Sequence, residues 1–314
     1  MPESSLSARQ IVLLVATSAS FAASVLLNKL LVHALPPLTL AASRVLLALP
    51  FCLAAMMICK APLPASRRDR WAIAWASLGI IAVPYTALAI GQQTIASGLS
   101  AIIYSVIPLL TLLLGALFLR DERLGLARLV GIGLGMAGVV AIIGPSFLGG
   151  MGEHAVAELI TLCGPVAYSL AMVLMRRFRH ISAVALTGGA FIAAAMVLVP
   201  LAFLFEQPLA TALDLRTFGL LLALATLGTM LPAALNYQLV RQVGATRAAI
   251  AMFLMPGIAV LAGWAVLDER LEREAFVGMA LILSGSFLVS RVSGRATPIV
   301  VAGESRLVSS VSKR

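Results

Sequence analysis

Apolar residues in this chain are gathered into blocks of about twenty, and short segments that carry most of the charges separate the blocks. A helix of about 20 residues crosses the hydrocarbon core of a bilayer, which is roughly 30 Å thick. The blocks predict ten membrane-spanning helices, at residues 11–33, 38–59, 71–92, 98–118, 127–145, 157–176, 183–205, 217–240, 247–267 and 275–291. We therefore expect an all-α integral membrane protein with no soluble domain.

The two halves of the chain have related sequences. Residues 98–143 align with residues 246–290, with a single inserted residue before Asp121 as the only offset. The matched positions are Pro84 and Pro232, Pro108 and Pro256, Gly115 and Gly263, Gly131 and Gly278, Gly138 and Gly285, and the sequence Asp-Glu-Arg-Leu at 121–124 and 268–271. A duplicated hydrophobic half is typical of transporters that bind their substrate between internal repeats.

The number of spans in each half decides their relative orientation. Five is an odd number, so the second half must enter the membrane in the opposite orientation to the first. We predict two inverted five-helix repeats, at residues 11–145 and 157–291, preceded by a cytoplasmic segment at 1–10 and followed by a basic cytoplasmic tail at 292–314. When inverted halves exchange conformations, an inward-open state becomes an outward-open state.

The composition and the distribution of charge agree with this topology. Hydrophobic residues make up 61% of the chain and charged residues 11%, whereas soluble domains have about 25% charged residues. With a cytoplasmic N-terminus, 18 of the 23 Lys and Arg residues lie on the cytoplasmic side and four on the opposite side, while Arg44 lies within a span. This positive-inside distribution predicts that both termini are cytoplasmic, and it accounts for the net charge of +10 without a nucleic-acid partner.

Three segments carry a resemblance to a known family: HALPPLTLAASR at 33–44, GATRAAIAMFLMP at 244–256 and LDERL at 267–271. With the internal repeat, they resemble the EamA family, a branch of the drug/metabolite transporter superfamily, over residues 11–291. The resemblance implies a ten-helix carrier of the inner membrane that exports amino acids, metabolites or drug-like compounds. It also implies a central cavity lined mainly by helices 1, 3, 4, 6, 8 and 9. The first helix reads Phe21-Ala22-Ala23-Ser24 where the family has Trp-Gly-Ser-Asn, so the identity of the substrate does not carry over.

Arg44 is the first candidate for a substrate-binding residue, because a charge inside a membrane span is costly. Its guanidinium could bind a substrate carboxylate or phosphate in a bidentate manner. Alternatively, it could extend towards the external end of its helix, about two turns away, or donate to nearby carbonyls. The sequence leaves both interpretations open.

Polar and aromatic residues near the span prolines are the other candidates for a binding site. Tyrosine offers an apolar face for stacking and a hydroxyl group. Hydrogen bonding between helices is the structural alternative, and each such contact contributes about 0.6 kcal/mol. We interpret Gln92 and Gln93, at the end of the third span, as interfacial. The candidates for substrate binding are Tyr85, Tyr104, Tyr168, Ser169, Asn236 and Tyr237, with Phe21 and Met252 as apolar contacts.

The prolines Pro84, Pro108, Pro232 and Pro256 lie within spans at matched positions of the two halves. Each deletes a backbone hydrogen bond and frees a carbonyl, which needs another partner or lines a wet cavity. Because proline is frequent in membrane helices, these residues could simply produce fixed kinks. Their matched positions favour a role as hinges.

The remaining motifs argue against an enzyme. The sequence has no phosphate-binding loop, no arrangement of catalytic residues at membrane depth, and no cluster that predicts a metal or another cofactor. We interpret the acidic residues of the two Asp-Glu-Arg-Leu motifs as structural groups at helix ends. The chain is thus predicted to be a secondary transporter whose partners are a small-molecule substrate and the lipid bilayer. A single chain would suffice in principle, and a non-transporting sensor or scaffold with the same fold is the alternative.

Overall fold

The structure is a computed structural model that describes residues 7–119, 125–148, 153–178, 180–208, 213–243, 248 and 250–292. These residues form helices joined by short connections, and no strand occurs among them. The first Asp-Glu-Arg-Leu motif, at 121–124, lies outside the described residues. The helices are α1 Ala8–Leu31, α2 Pro37–Ile58, α3 Arg67–Gly91, α4 Ser97–Tyr104 continued by Ile107–Leu119, α5 Leu126–Leu148, α6 Glu153–Met175, α7 Ala183–Phe205, α8 Leu215–Val243, α9 Ile250–Leu267 and α10 Arg273–Val292.

Nine helices of the described part of the chain, α1 to α9, are long and apolar enough to cross a membrane. The all-helical, multi-pass architecture expected from the hydrophobic blocks is therefore confirmed. The last helix, α10, is 20 residues long, but it is not among those nine. A tenth crossing and the inverted arrangement of the two halves stay predictions.

The internal repeat has a counterpart in the shape of two helices. A π-helical segment interrupts α3 at Leu78–Ala82, and another interrupts α8 at Thr226–Met230. In each helix a proline, Pro84 or Pro232, follows two residues after the π-helical segment. Both segments and both prolines thus occupy the same register of the repeat, so the matched prolines mark matched irregularities of the backbone.

Helices cross closely where one of them has a glycine, which has no side chain to keep the two apart. A methyl group at Gly228 of α8 would lie 3.0 Å from the Cα of Ser24 in α1, so these two helices pack backbone to backbone. The equivalent crossing joins α3 of the first half to α6 of the second, where a methyl group at Gly79 would lie 2.5 Å from the Cβ of Ala171. Each π-helical segment is therefore packed against the first helix of the opposite half.

Helices α5 and α10 pack along each other through their glycines. A methyl group at Gly131 would lie 2.7 Å from the carbonyl oxygen of Gly285, and one at Gly138 would lie 2.7 Å from that of Gly278. Small residues allow membrane helices to approach this closely, and van der Waals packing then stabilises the pair. The spaced glycines of α5 and α10 thus allow these two helices of the same chain to pack together.

Side chains at several helix starts satisfy backbone N–H groups that have no partner inside the helix. Ser7 and Ser182 accept from Gln10 N and Ala185 N at the starts of α1 and α7. At the start of α8, the carboxylate of Asp214 accepts from Thr217 N at 2.8 Å. Hydrogen bonds to the ionised form from the side chain of Thr217 and from Thr217 N lower the pKa of the Asp214 carboxyl below its ordinary value.

Candidate functional site

Arg44 lies in the interior of the helical bundle with only 3% of its surface exposed. Its Nε donates to the hydroxyl of Thr229 at 2.8 Å, and its Nη2 donates to the hydroxyl of Ser24 at 2.8 Å and to the carbonyl of Gly228 at 3.0 Å. These contacts join α2 to α1 of the same half and to α8 of the other. Arg44 therefore does not extend to the helix end, and it donates to a nearby carbonyl as the structural alternative expects.

The backbone of α8 explains why a carbonyl is available to Arg44. Pro232 has no N–H with which to bond the carbonyl four residues earlier, which is that of Gly228. Gly228 lies within the π-helical segment, and Thr229 of the same segment donates its hydroxyl to the carbonyl of Leu224 at 2.8 Å. An unpartnered carbonyl is costly in a membrane interior, so the guanidinium stabilises a carbonyl that the proline leaves free.

One tyrosine contacts the guanidinium, and two others lie close by. The ring of Tyr85 lies under Arg44, with 3.7 Å between the guanidinium carbon and the ring centroid, which is a cation–π contact. Tyr104 interacts electrostatically with Arg44 and Tyr168 with Tyr85. The hydroxyl of Tyr104 also donates to the carbonyl of Pro84 at 2.7 Å. Tyr85 of α3 thus contacts Arg44 directly, with Tyr104 of α4 near Arg44 and Tyr168 of α6 near Tyr85.

An apolar wall adjoins this group of tyrosines. Phe21 of α1, Tyr104 of α4 and Met252 of α9 pack against one cluster of buried residues. Cluster members are Ala22, Val25, Ala101, Met255 and Ala259. The two apolar candidates from the sequence, Phe21 and Met252, therefore share a cluster with a tyrosine of the polar group. Because methionine is flexible and polarizable, this apolar surface can change its shape.

The matched prolines 108 and 256 have different surroundings. α4 is interrupted at Ser105 and Val106, just before Pro108, whereas α9 continues through Pro256. Ser169 of α6 is fully buried and donates to the carbonyl of Ile107 at 3.3 Å. This candidate polar residue thus supports the break in α4.

The two candidates on α8 lie away from the guanidinium along the helix. Tyr237 is 46% exposed, and its ring centroid lies 5.9 Å from the guanidinium carbon of Arg241. Asn236 is half-buried and comes seven residues after Thr229. A separation of seven residues returns to the same face of a helix about 10 Å further along its axis, so Asn236 lies on the Thr229 side of α8, near its far end.

The second Asp-Glu-Arg-Leu motif has the structural role expected from the sequence. The carboxylate of Glu269 accepts from Ser97 N at 2.9 Å and from the Ser97 hydroxyl at 2.6 Å, at the start of α4. The interpretation of Gln92 as interfacial is wrong: its side chain is fully buried and accepts from Asn28 Nδ2 at 2.8 Å. Its position at a span end suggested exposure, but α1 covers it.

Sequence reasoning missed the partners of Arg44. Ser24 and Thr229 are small hydroxyl residues, which occur throughout membrane helices, and no local motif distinguishes them. A usable signal was the position of Gly228, four residues before Pro232. Within the described part of the chain, no group of His, Cys, Asp and Glu side chains could hold a metal ion.

Comparison with known proteins gives the family of the chain. The EamA-like transporter family matches it twice, over residues 8–144 and 155–291. An uncharacterized transporter of Archaeoglobus fulgidus is 29% identical over 68% of this chain and 76% of its own. The uncharacterized inner membrane transporter YedA of Escherichia coli is 26% identical over 82% and 83%, respectively.

A solved structure has the same fold. The crystal structure of another protein superposes with a TM-score of 0.65 at 19% identity, and the match covers 92% of this chain and 100% of the other. The uncharacterized transporter YoaV of Bacillus subtilis is a further relative, 23% identical over 64% of this chain and 69% of its own. The family and the relatives named as transporters indicate a multi-pass membrane transporter rather than an enzyme.

Proposed function

We propose that this chain, which belongs to the EamA-like transporter family, moves a small organic solute with a carboxylate group across the cytoplasmic membrane, as a secondary transporter that works by alternating access. Export of an amino acid or a related metabolite is the direction and substrate class that we propose. In this proposal ten helices form two inverted repeats, with both termini in the cytoplasm, and the solute binds between the repeats.

We infer the substrate class from the buried charge of Arg44. Each contact of the guanidinium described above is with a neutral group: two hydroxyls, a carbonyl and the ring of Tyr85. A guanidinium in the low-dielectric interior of a membrane protein is costly unless an anion offsets its charge. A solute carboxylate would offset it and gain strong, charge-assisted hydrogen bonds.

The surroundings of Arg44 favour a solute with an apolar or aromatic part. Tyr85, Tyr104 and Tyr168 offer ring faces and hydroxyls, while Phe21 and Met252 offer an adaptable apolar surface. Ser169 supports the break in α4 beside this region. Asn236 and Tyr237, further along α8, would meet the solute on its way from the cytoplasmic end.

The irregular helices support the conformational part of the proposal. Pro84 and Pro232 follow π-helical segments in matched positions, and Pro108 follows the break in α4. Discontinuous helices of this kind form the substrate sites of many transporters with inverted repeats. We assign the role of hinges to these three prolines and to Pro256, their counterpart in α9.

Thermal unfolding of the purified protein with matched ligands tests the proposal. A ring-bearing carboxylate such as 3-phenylpropionate would be compared with its amide and with an amine of the same skeleton. A ligand present at about 100 times its dissociation constant adds roughly 2.7 kcal/mol of stability. We expect stabilisation by carboxylates, none by the amines, and loss of the effect in Arg44→Gln.

Two variants separate binding from folding. Ser24→Ala removes one partner of Arg44 but keeps its charge, so it should keep the preference for carboxylates. If Arg44→Gln does not fold, Arg44→Lys, which keeps a positive charge, replaces it as the test variant. Equal stabilisation by the amine and the carboxylate would contradict the proposed substrate class. A flat response to amino acids, organic acids and nucleobases would favour the non-transporting sensor or scaffold.

A further inference from the structure

Apart from Arg44, buried polar side chains meet at one end of the bundle. The Nζ of Lys29, in the last turn of α1, donates to the carbonyls of Gln92 at 2.6 Å and of Ile95 at 2.9 Å. Asn28 donates to the side chain of Gln92, which in turn donates from Nε2 to the carbonyl of Val25 at 3.1 Å. Asn28 and Gln92 are almost completely buried. This polar cluster therefore fastens the end of α1 to the end of α3.

Glu269 extends the cluster to the other half of the chain. It follows α9, and its carboxylate accepts from the backbone N–H groups of Ser97 and Gly98 and from the Ser97 hydroxyl. Its charge also attracts the ammonium group of Lys29. Beside it, a methyl group at Gly98 would lie 3.2 Å from the Cα of Val260 in α9. The ends of α1, α3 and α9 and the start of α4 are thus joined.

The polar cluster lies directly above the candidate site. Ser24, which accepts from Arg44, is four residues before Asn28 on α1, and four residues correspond to about one helical turn. In the proposed topology this end of the bundle faces the outside of the cell. A solute that left the Arg44 region outwards would have to pass between α1, α4 and α9.

At the opposite end of the bundle, other pairs of helices are in contact. α4 is joined to the region after α6, where Arg177 Nη2 donates to the carbonyl of Phe118 at 3.5 Å. The start of α1 packs against the end of α8 and the start of α9, through Leu14, Leu239 and Ala251.

We infer that Glu269, with Lys29 and Gln92, forms the external gate of the transporter and holds the site closed to the outside in this structure. The inference rests on the proposed alternating access and adds a functional role to residues that are otherwise structural. To open outwards, the protein must withdraw the Glu269 carboxylate from the start of α4 and separate Lys29 from the carbonyls at the end of α3. Weakening these contacts therefore favours the outward-open state.

The repeat supplies a matched pair of variants. A methyl group at Gly263 of α9 would lie 2.5 Å from Glu269 Oε2 and 2.8 Å from the Ser97 hydroxyl, so Gly263→Ala must displace the carboxylate from the start of α4. At Gly115, the equivalent position of α4, the nearest atom to a methyl group would be Arg176 Nη1 at 3.6 Å, which is an ordinary contact. Gly115→Ala is therefore the same change without the collision.

Labelling of a single cysteine from outside the cell measures whether the gate is open. Cys52, Cys59 and Cys163 would be replaced by alanine, and Phe21→Cys in the candidate site would serve as the reporter. A membrane-impermeant maleimide would then be added to intact cells. We expect slow labelling in this background and in Gly115→Ala. In Gly263→Ala and in Glu269→Gln it should be at least about tenfold faster, the effect of losing one hydrogen bond to a charged group.

The outcomes distinguish the gate from the proposed function, because labelling needs neither a solute nor flux. Equal, slow labelling of all the variants would overturn the gate, even if the protein transports a carboxylate. Faster labelling in Gly115→Ala as well would also overturn it, because the effect would then follow from any added methyl group. Gel filtration checks that each variant is folded. If Gly263→Ala does not fold, the labelling rate of Glu269→Gln tests the gate instead. Faster labelling restricted to Gly263→Ala and Glu269→Gln supports the gate whatever solute is moved.

Discussion

The packing of α5 against α10 allows a stability difference to be worked out from two substitutions of the same kind. Gly131 faces α10, where a methyl group would lie 2.7 Å from the carbonyl oxygen of Gly285 and 2.7 Å from Cγ2 of Val289. Gly133, two residues further along the same helix, has no atom within 4 Å of the added methyl position. Gly131→Ala and Gly133→Ala therefore differ only in what the methyl group meets.

Both variants gain the same intrinsic helix propensity, about 0.8–1.0 kcal/mol for alanine over glycine, and this gain cancels in their comparison. Overpacking of a close interface costs about 1–3 kcal/mol. We expect Gly131→Ala to be less stable than Gly133→Ala by that amount. Each kcal/mol corresponds to roughly 2 °C in the unfolding midpoint of a chain of this size.

Thermal unfolding of the detergent-purified variants, followed by tryptophan fluorescence, gives the difference directly. The midpoint of Gly131→Ala should lie about 2–6 °C below that of Gly133→Ala, which should equal or exceed the unmodified protein. Neither substitution should change the preference for carboxylates, because the two helices lie outside the candidate site. Equal midpoints for the two variants would refute the backbone-to-backbone packing of α5 and α10.

Two further predictions concern single polar contacts and use the same assay. Tyr104→Phe removes the hydrogen bond to the Pro84 carbonyl and should lower stability by about 1 kcal/mol; an unchanged midpoint would contradict that contact. The carboxylate of Glu206 accepts from Leu38 N and Thr39 N at the start of α2. Glu206→Ala should therefore be less stable than Glu206→Gln, which keeps one acceptor oxygen; the reverse order would contradict this cap.

The helical architecture could be predicted from the sequence because apolar blocks about 20 residues long have few alternatives in a membrane. The repeat was also visible in the sequence, since proline and glycine positions matched. The matched prolines did not reveal the π-helical segments at Leu78–Ala82 and Thr226–Met230, because proline specifies a missing hydrogen bond and not the way the helix adjusts to it.

The candidate site could be predicted only in part. Arg44 stood out as the one charge well away from the ends of a predicted span, and the tyrosines by their closeness to prolines. The contacts of Arg44 with Ser24 and Thr229 depend on how α1, α2 and α8 pack, which no local pattern encodes. The same reason explains Glu269: a carboxylate after a helix was interpreted correctly as structural, but the helix start that it binds is 172 residues away in the sequence.

Solute flux through liposomes containing the purified protein tests the central claim most directly. A radiolabelled carboxylate chosen from the stability measurements would be added outside, and its exchange with unlabelled solute inside would be followed. We predict exchange in the unmodified protein, competition by carboxylates but not by amines, and loss of exchange in Arg44→Gln. No exchange of any stabilising ligand by the folded protein, or full exchange in folded Arg44→Gln, would contradict a carboxylate transporter centred on Arg44.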